Sequence, residues 1–401
     1  MKSSGYFDYN ATTPVCMEAV EAFNNAVQHF GNPSSRHRLS SDAKAIIADA
    51  RKALCELIGA DPEELFFTSG GTEGNNWAIK GVFFQHLQEH GNSGHIVISS
   101  IEHASVLEAC NFLKCTFGCQ VTCVPPDSNG IVSADAISNA VRKDTFLVSV
   151  MLANNEVGTI QPIRQIAERL KDRNIHFHVD GVQAVGKIPV QVKELGIDSL
   201  SFAGHKFYAP KGVGGLFIRN GTRVTPLIHG GGQEQGARGG TESVALIAAL
   251  GAAARIAVES MSHTIQYQQS IARMLRAELQ KRFPTICFHG PAKSGQQVPN
   301  TISFCIPGIR AEALAALLDH RYGVQVSLGS ACSNNKAARH SHVLLAMGLD
   351  HALITSTIRV SIGKHTSAED ISGFVSALAS CVDQLQSIHS PAGFNHAVAA
   401  R

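Results

Sequence analysis

Five short polar segments, each just after an apolar run, carry the side chains able to do chemistry. Thr68-Ser-Gly-Gly-Thr-Glu73 closes one run and opens a helical pattern. His103 follows the run 95–100, and Asn154-Asn155-Glu156 follows 146–152. Asp180 ends His176-Phe-His-Val-Asp180, with Gln183 three residues on, and Lys206 follows Ser199-Leu-Ser-Phe-Ala203-Gly-His205. Glycines ahead of a helix, with the helix dipole and a hydroxyl, suit a phosphate. The spacing is neither a Walker loop nor a G-x-G-x-x-G fingerprint, and a tight strand–helix turn reads the same way. Taken singly, a lysine after a strand is ordinarily a solvated surface group and an aspartate there a helix cap. Together they form an anion site, a carboxylate, amides, an imidazole and a lysine. That set meets the needs of pyridoxal 5′-phosphate: a helix N-terminus for its phosphate, a carboxylate for its ring nitrogen and a lysine for its aldehyde.

The ten cysteines stand at 16, 55, 110, 115, 119, 123, 287, 305, 332 and 381, with no Cys-x-x-Cys among them. The 110–123 cluster has no zinc-like spacing and is expected to be buried, inert thiols. Cys332 differs. It lies in Ser327-Leu-Gly-Ser-Ala-Cys332-Ser-Asn-Asn-Lys336, a small polar stretch followed by Arg339, His340 and His342. Nearby cations lower a thiol pKa and raise its thiolate fraction, so Cys332 is the candidate nucleophile; an exposed thiol in an ordinary loop is the plainer alternative.

These residues need elements to position them. Helical spacing predicts helices over 41–58, 73–88 and 162–172 and another from 105. Apolar runs predict strands over 64–68, 95–100, 146–152, 176–179, 199–203 and 213–218. Strands alternating with helices indicate an α/β fold with a mainly parallel sheet covered on both faces, and ligands bind such sheets beyond the carboxyl ends of the strands. After about residue 260 a long amphipathic helix, 265–282, leads into a smaller α+β domain. The expected division is 15–260 as a large cofactor-binding domain, 1–14 plus 261–390 as a small domain carrying the nucleophile loop, and 391–401 as a tail.

Composition narrows the class. Lys+Arg number 34 against 32 Asp+Glu, charged residues are 16% and hydrophobic ones 44%. That content supports a buried core rather than disorder, and the near-neutral balance gives no footprint for nucleic acid or an acidic membrane. The longest apolar stretch, 244–258, is interrupted by Gly251 and Arg255 and is too short to span a bilayer. The first 30 residues carry Asp8, Glu18 and Glu21 without a continuous apolar segment, so no signal peptide is expected. A cytoplasmic location follows as an expectation.

The ordered motifs resemble the cysteine desulfurases, pyridoxal-phosphate enzymes of fold type I in the class-V aminotransferase group, in the branch of nitrogen-fixation and iron–sulfur-cluster sulfur donors. The matching stretches are Asp8-Tyr-Asn-Ala-Thr-Thr-Pro14, Gly31-Asn-Pro-Ser-Ser35, Thr68–Glu73, Glu102-His103, Asn154-Asn-Glu-Val-Gly158, His178-Val-Asp180 with Gln183, Gly204-His-Lys206, Gly230-Gly-Gly-Gln-Glu234, Gly329-Ser-Ala-Cys332 and Ile358-Arg359. The resemblance implies that Lys206 bonds the cofactor and moves the substrate α-proton, and that Asp180 pairs with the ring nitrogen. It implies Gln183 on the phenolate oxygen, Asn155 on that oxygen or the substrate carboxylate, and His103 stacked on the ring as an acid/base. Gly71, Thr72 and His205 would hold the phosphate, Arg359 the substrate carboxylate, and Cys332 would receive sulfur from L-cysteine as a persulfide before passing it to a protein acceptor. Thr241 would reach the phosphate of a neighbouring subunit, which implies a homodimer; its place between a glycine loop and an apolar helix also reads as an N-cap. No metal is implied.

The sequence departs from the family pattern where Ala203, Val182 and Ala184 stand in place of hydroxyl residues. Each lost hydroxyl forfeits about 1 kcal/mol of hydrogen bonding, so weaker cofactor retention is expected. The loop after Cys332 is more basic than usual. Selenocysteine lyase shares these motifs, and a catalytically quiet, cofactor-binding subunit of a sulfur-transfer complex is the alternative of another class.

Overall fold

A computed structural model describes residues 5–293, 295–329 and 340–389. The chain divides into two units. The larger comprises Ala11–Asn155 and Thr159–His263; the smaller comprises Met1–Asn10, Glu156–Gly158 and Thr264–Arg401. The short excursion Glu156–Gly158 into the smaller unit has no precursor in the pattern along the chain.

The larger unit is built on seven strands: β1 (Leu65–Thr68), β2 (His95–Ser99), β3 (Gln120–Val124), β4 (Thr145–Ser149), β5 (His176–Asp180), β6 (Ser199–Ala203) and β7 (Gly214–Ile218), in the order β1-β7-β6-β5-β4-β2-β3. β6, β5, β4, β2 and β3 pair in parallel, and β7 runs antiparallel between β1 and β6. Six of the seven strands therefore point the same way. Their carboxyl ends form one edge, and that edge carries all five polar segments. The central strands β4, β5 and β6 are buried along almost their whole length, as continuous apolar runs between two helical layers should be. Helix Gly71–His90 crosses one face, burying Trp77, Ile79 and Phe83. It stops at Gly91, whose φ of 68° is the left-handed conformation that ends helices. β3, the helix Met17–Val27 and the helix Ala134–Ala140 add to the expected elements: β3 carries little apolar signal (QVTCV, mostly exposed or half-buried), and the last helix is seven residues long.

The expected helix 265–282 and the apolar stretch 244–258 are one element, Val244–Arg282, of 39 residues. The intervening residues Glu259–Thr264 contain no proline or glycine to break it. By length and composition it could cross a membrane, a test that core helices also pass; half of its most apolar window is buried within the fold.

The smaller unit contains an antiparallel sheet of β8 (Cys287–His289), β9 (Thr301–Cys305), β10 (Ser327–Leu328) and β11 (Thr357–Ser361), in the order β10-β11-β9-β8. Leu275, Leu279 and Phe283 at helical spacing pack with Ile302 and Phe304 of β9, Ile358 and Val360 of β11, and Phe374 and Leu378 of helix Ala368–His389. Each such side chain contributes about 1.5–3 kcal/mol by leaving water. Phe7 lies 4.9 Å from the Phe374 ring, and Asn10 donates to Thr301 Oγ1 (2.7 Å) and accepts from Asn300 Nδ2 (2.9 Å). The amino-terminal residues thus belong to a core assembled mostly from the last third of the chain.

Candidate active site

The anion-binding segment follows β1. Gly70 has φ 151° and ψ −174°, a conformation open only to glycine, and a Cβ there would meet nothing within 4 Å. A Cβ on Gly71 would come within 2.4 Å of Val182 Cγ2 and 3.8 Å of the Ala203 Cβ. The loops after β1 and β5 and the end of β6 therefore meet here, and only glycine lets them. Gly74 N–H makes the first helical bond, to Gly70 O, so the amides of Gly71, Thr72 and Glu73 precede any intrahelical acceptor. Ser69 N–H is already taken by Glu73 Oε2 at 2.7 Å. Thr72 is exposed at this opening. Three aligned donors at the positive end of a 20-residue helix, reached over bare glycine backbone, fit a phosphate.

Asp180 ends β5 and is 3% exposed. Its Oδ1 accepts from Val182 N–H (2.9 Å) and its Oδ2 from Asn75 Nδ2 (2.7 Å). Gln183, also buried, accepts from Lys187 Nζ through Oε1 at 2.6 Å, which directs its amide nitrogen away as a donor, the group a phenolate oxygen needs. His103 lies at the N-cap of helix Ala104–Phe117. Its Nδ1 accepts from Ser105 N–H (3.1 Å) and lies 2.8 Å from Ser105 Oγ. A backbone N–H can only donate, so Nδ1 is unprotonated and the ring proton sits on Nε2. Asn154 is buried and donates to Ile101 O, while Asn155 is half-buried at the end of the loop after β4.

Lys206 closes a single 3₁₀ turn after β6, half-buried, and donates through Nζ to Ala11 O at 2.8 Å. The segment after it is strained: Tyr208 has φ 72°. Thr13 Oγ1 accepts from Tyr208 N–H (2.8 Å) and donates to His205 O (3.0 Å), Cys16 N–H bonds Tyr208 O (3.0 Å), and Thr12 Oγ1 lies 3.2 Å from His205 Nδ1. Ala11–Cys16 is thus a strap over the lysine turn, a role for the Ala-Thr-Thr-Pro motif that spacing does not reveal. Burial, followed by the charges of Lys206, Lys211 and Lys187, lowers the His205 pKa to about 4, so it meets an anion as a neutral group.

The glycine-rich loop 229–240 is tied down by two ion pairs. Glu234, at φ 47°, accepts from Arg51 (2.8 Å) and Phe67 N–H (2.9 Å), and Arg238 bonds Glu73 (2.9 Å). Thr241 is exposed in the following loop. The N-cap expected for it is corrected: the helix starts at Val244, three residues later, and Ile247 N–H bonds Ser243 O, so the preceding serine takes that place.

In the smaller unit Arg359, on β11, bonds Asp8 Oδ1 through Nη2 at 2.5 Å, which orients its guanidinium fork. Beside it in that unit, burial raises the pKa of Glu156, which accepts from Ser341 Oγ at 2.5 Å. Cys332, with Lys336 and Arg339, lies outside the described residues, as does the expected tail. The 110–123 cluster needs one correction: Cys110 and Cys119 are buried, but Cys115 and Cys123 are exposed, as is Cys287 outside it. Cys115 falls on the outer face of its helix and Cys123 on the edge strand β3, positions that residue type alone does not separate.

Several buried ionisable groups make stability depend on pH. Burial lowers His176, His205 and His289 to about 4 and His178 to about 3. A depressed histidine contributes stability in full above the unfolded value of about 6.5 and loses it as pH falls toward 4. Burial raises Glu102 to about 8; its contribution is full below about 4.5 and lost as pH rises through 8. Stability is therefore expected to peak near pH 6–7. Urea midpoints at pH 5, 6.5 and 8.5 check this, and a midpoint that climbs steadily to pH 8.5 contradicts it.

The larger unit thus presents, on one sheet edge, a phosphate cradle, a buried carboxylate and a lysine on a strapped turn. That is the site of a pyridoxal-phosphate enzyme of fold type I. The aminotransferase class-V family model matches residues 5–374. The cysteine desulfurase IscS of Dictyoglomus turgidum is 43% identical over 97% of both chains, and that of Methanosarcina thermophila is 41% identical over 96% of this chain and 93% of its own. A solved NifS-like protein superposes with a TM-score of 0.87 at 37% identity, over 94% of this chain and 99% of that one. The chain belongs to the class-V aminotransferase family and, within it, to the cysteine desulfurases.

Proposed function

We propose that this chain converts L-cysteine to L-alanine and transfers the sulfur to Cys332 and then to a protein acceptor. One observation carries the reading: a lysine turn, a buried carboxylate and a glycine-lined helix N-terminus meet on one sheet edge, in a chain more than 40% identical to proteins named cysteine desulfurase. Pyridoxal 5′-phosphate, held there, supplies an aldehyde for lysine and a protonated ring that accepts electron density from the substrate.

The chain's own groups do the rest. The amides of Gly71 and Thr72, with Thr72 Oγ1 and neutral His205, bind the phosphate. Asp180 keeps a negative charge at the ring nitrogen, Gln183 donates to the phenolate oxygen, and Asn155 stands near that oxygen or the substrate carboxylate. Lys206 takes the substrate α-proton and later returns one. Arg359 offers its fork to the substrate carboxylate. Cys332, as thiolate, attacks the substrate sulfur; the carbon–sulfur bond breaks as the sulfur–sulfur bond forms, leaving a persulfide on the enzyme and alanine after protonation. His103 would stack on the ring and donate from Nε2. Its Nδ1 is already blocked by the Ser105 N–H, so proton shuttling rests on Lys206 rather than on both residues.

Two further features support finer readings. Met17 and Phe30 near the start of the larger unit are 65% and 81% exposed, apolar surface that a second copy would cover in a homodimer, with Thr241 completing the partner's phosphate site. Cys115, Cys123 and Cys287 are exposed thiols, which suits a reducing, cytoplasmic compartment.

The test is to incubate the protein with pyridoxal phosphate and L-cysteine and to measure alanine and Cys332 persulfide together. Both are expected from the natural chain. Cys332→Ala is expected to keep the visible absorption of the bound cofactor while alanine release falls at least about 100-fold. Full alanine output from Cys332→Ala would remove the nucleophile from this mechanism.

A further inference from the structure

Asn75 lies one helical turn into Gly71–His90, 1% exposed, and its amide uses every hydrogen-bonding position it has. Nδ2 donates to Asp180 Oδ2 (2.7 Å) and to Ser105 Oγ (2.8 Å). Oδ1 accepts from His178 Nε2 (3.0 Å) and from the Ser201 hydroxyl.

The direction of each bond follows from its neighbours. An ionised Asp180 can only accept, so the amide nitrogen faces it and the amide oxygen faces His178. His178 must then carry its proton on Nε2 and accept at Nδ1 from the Ser199 hydroxyl, 2.8 Å away. Ser199 Oγ, having donated its proton, accepts from His176 Nε2 at 2.7 Å. Burial keeps both histidines neutral, as this pattern requires. On the other side, Ser105 Oγ accepts from Asn75 and donates to His103 Nδ1 (2.8 Å), which again leaves the His103 proton on Nε2.

We infer that Asn75 is a positioning residue, held in one orientation by His178 and Ser201, that aims the Asp180 carboxylate at the cofactor ring nitrogen and, through Ser105 Oγ, holds the His103 ring in place. This rests on the reading that the site takes pyridoxal phosphate. One amide thereby sets the two groups expected to meet the ring, and the Ser199–His178 pair on β6 and β5 keeps that amide from flipping. A flipped amide would place its oxygen against the Asp180 carboxylate, two acceptors without a proton between them.

The experiment titrates apoprotein with pyridoxal phosphate, reading the dissociation constant and the visible spectrum of the bound cofactor at one fixed pH. Asn75→Asp puts an oxygen against Asp180 and is expected to weaken cofactor binding at least about tenfold and to reduce the visible band of the cofactor that remains bound. His178→Leu leaves Asn75 in place but frees its amide, with an expected loss of about three- to tenfold. His178→Gln returns an N–H donor and is expected to recover most of that loss. A purely structural role would lower thermal stability in both His178 variants without the glutamine rescue or the spectral change. If Asn75→Asp fails to fold, the His178 pair decides alone. Wild-type affinity and spectrum in His178→Leu, or no recovery in His178→Gln, would overturn the inference. Failure of the natural chain itself to bind the cofactor would overturn the functional reading, and this one with it.

Discussion

Lys206→Ala is expected to lower alanine release from L-cysteine by about 10⁴-fold or more, because one side chain serves two steps. In the proposed function it would join the protein to the cofactor aldehyde and carry the substrate α-proton; general acid–base catalysis alone contributes about 10²–10⁴. The structure makes substitution hard to compensate. The lysine sits in a three-residue 3₁₀ turn, followed by Tyr208 at φ 72°, and Ala11–Cys16 bonds the turn at Ala11 O, Thr12 and Thr13. No other lysine in the described larger unit closes a strand at that edge. Lys206→Arg keeps the charge but not the nucleophilic amine, and is expected to be as inactive as the alanine variant. Turnover above about 1% of the natural rate in either variant would show that another group carries the proton.

The second large effect is expected at Asp180. Asp180→Asn preserves shape and still accepts a hydrogen bond, but removes the negative charge that the proposed function sets opposite the ring nitrogen. Asp180 is almost completely buried, so water cannot replace that charge. Breaking a buried ion pair by removing one partner costs about 3–5 kcal/mol, which is roughly 10²- to 10⁴-fold in kcat/KM. The amide also meets Asn75 Nδ2 at the position of Oδ2, so it must turn its oxygen toward Asn75 and its nitrogen toward Val182 N–H, or the reverse; one of the two bonds is lost in either case. Steady-state rates and cofactor affinity of Asp180→Asn and Asp180→Glu check this. Natural kcat/KM in Asp180→Asn would mean that the ring does not need its nitrogen protonated in this enzyme.

Both residues were legible along the chain. Lys206 and Asp180 stand out in the sequence because each ends an apolar run, and residue type plus position limits what they can do. Thr72, His103 and Gln183 stand out for the same reason. The hub at Asn75 did not. Asn75 looks like an ordinary polar residue of a helix, and only the packing of that helix on β5 and β6 turns it inward. A trace was present: His176 and His178, like Ser199 and Ser201, alternate along strands that are otherwise apolar, which places polar groups on one buried face. Alternation identifies the face but not the partner. Thr241 shows the opposite error, since a threonine between a glycine loop and an apolar helix looks like a cap, whereas the backbone reaches helical geometry only at Val244.

The sequence by itself determined the class of fold, the edge of the sheet that carries the chemistry and the residue types offered there, because hydrophobic periodicity and strand-end residues are local properties. It also singled out Cys332 among the cysteines by its polar surroundings. Tertiary structure alone decided which side chains meet: the strap of Ala11–Cys16 on the lysine turn, the contact of Gly71 with Val182 and Ala203, and the amide that joins Asp180 to His103. It also decided which thiols are exposed, and it joined two sequence segments into the 39-residue helix Val244–Arg282. These depend on contacts between residues as much as 195 positions apart. Such contacts are set by how helices and strands close-pack, and no local pattern along the chain encodes them.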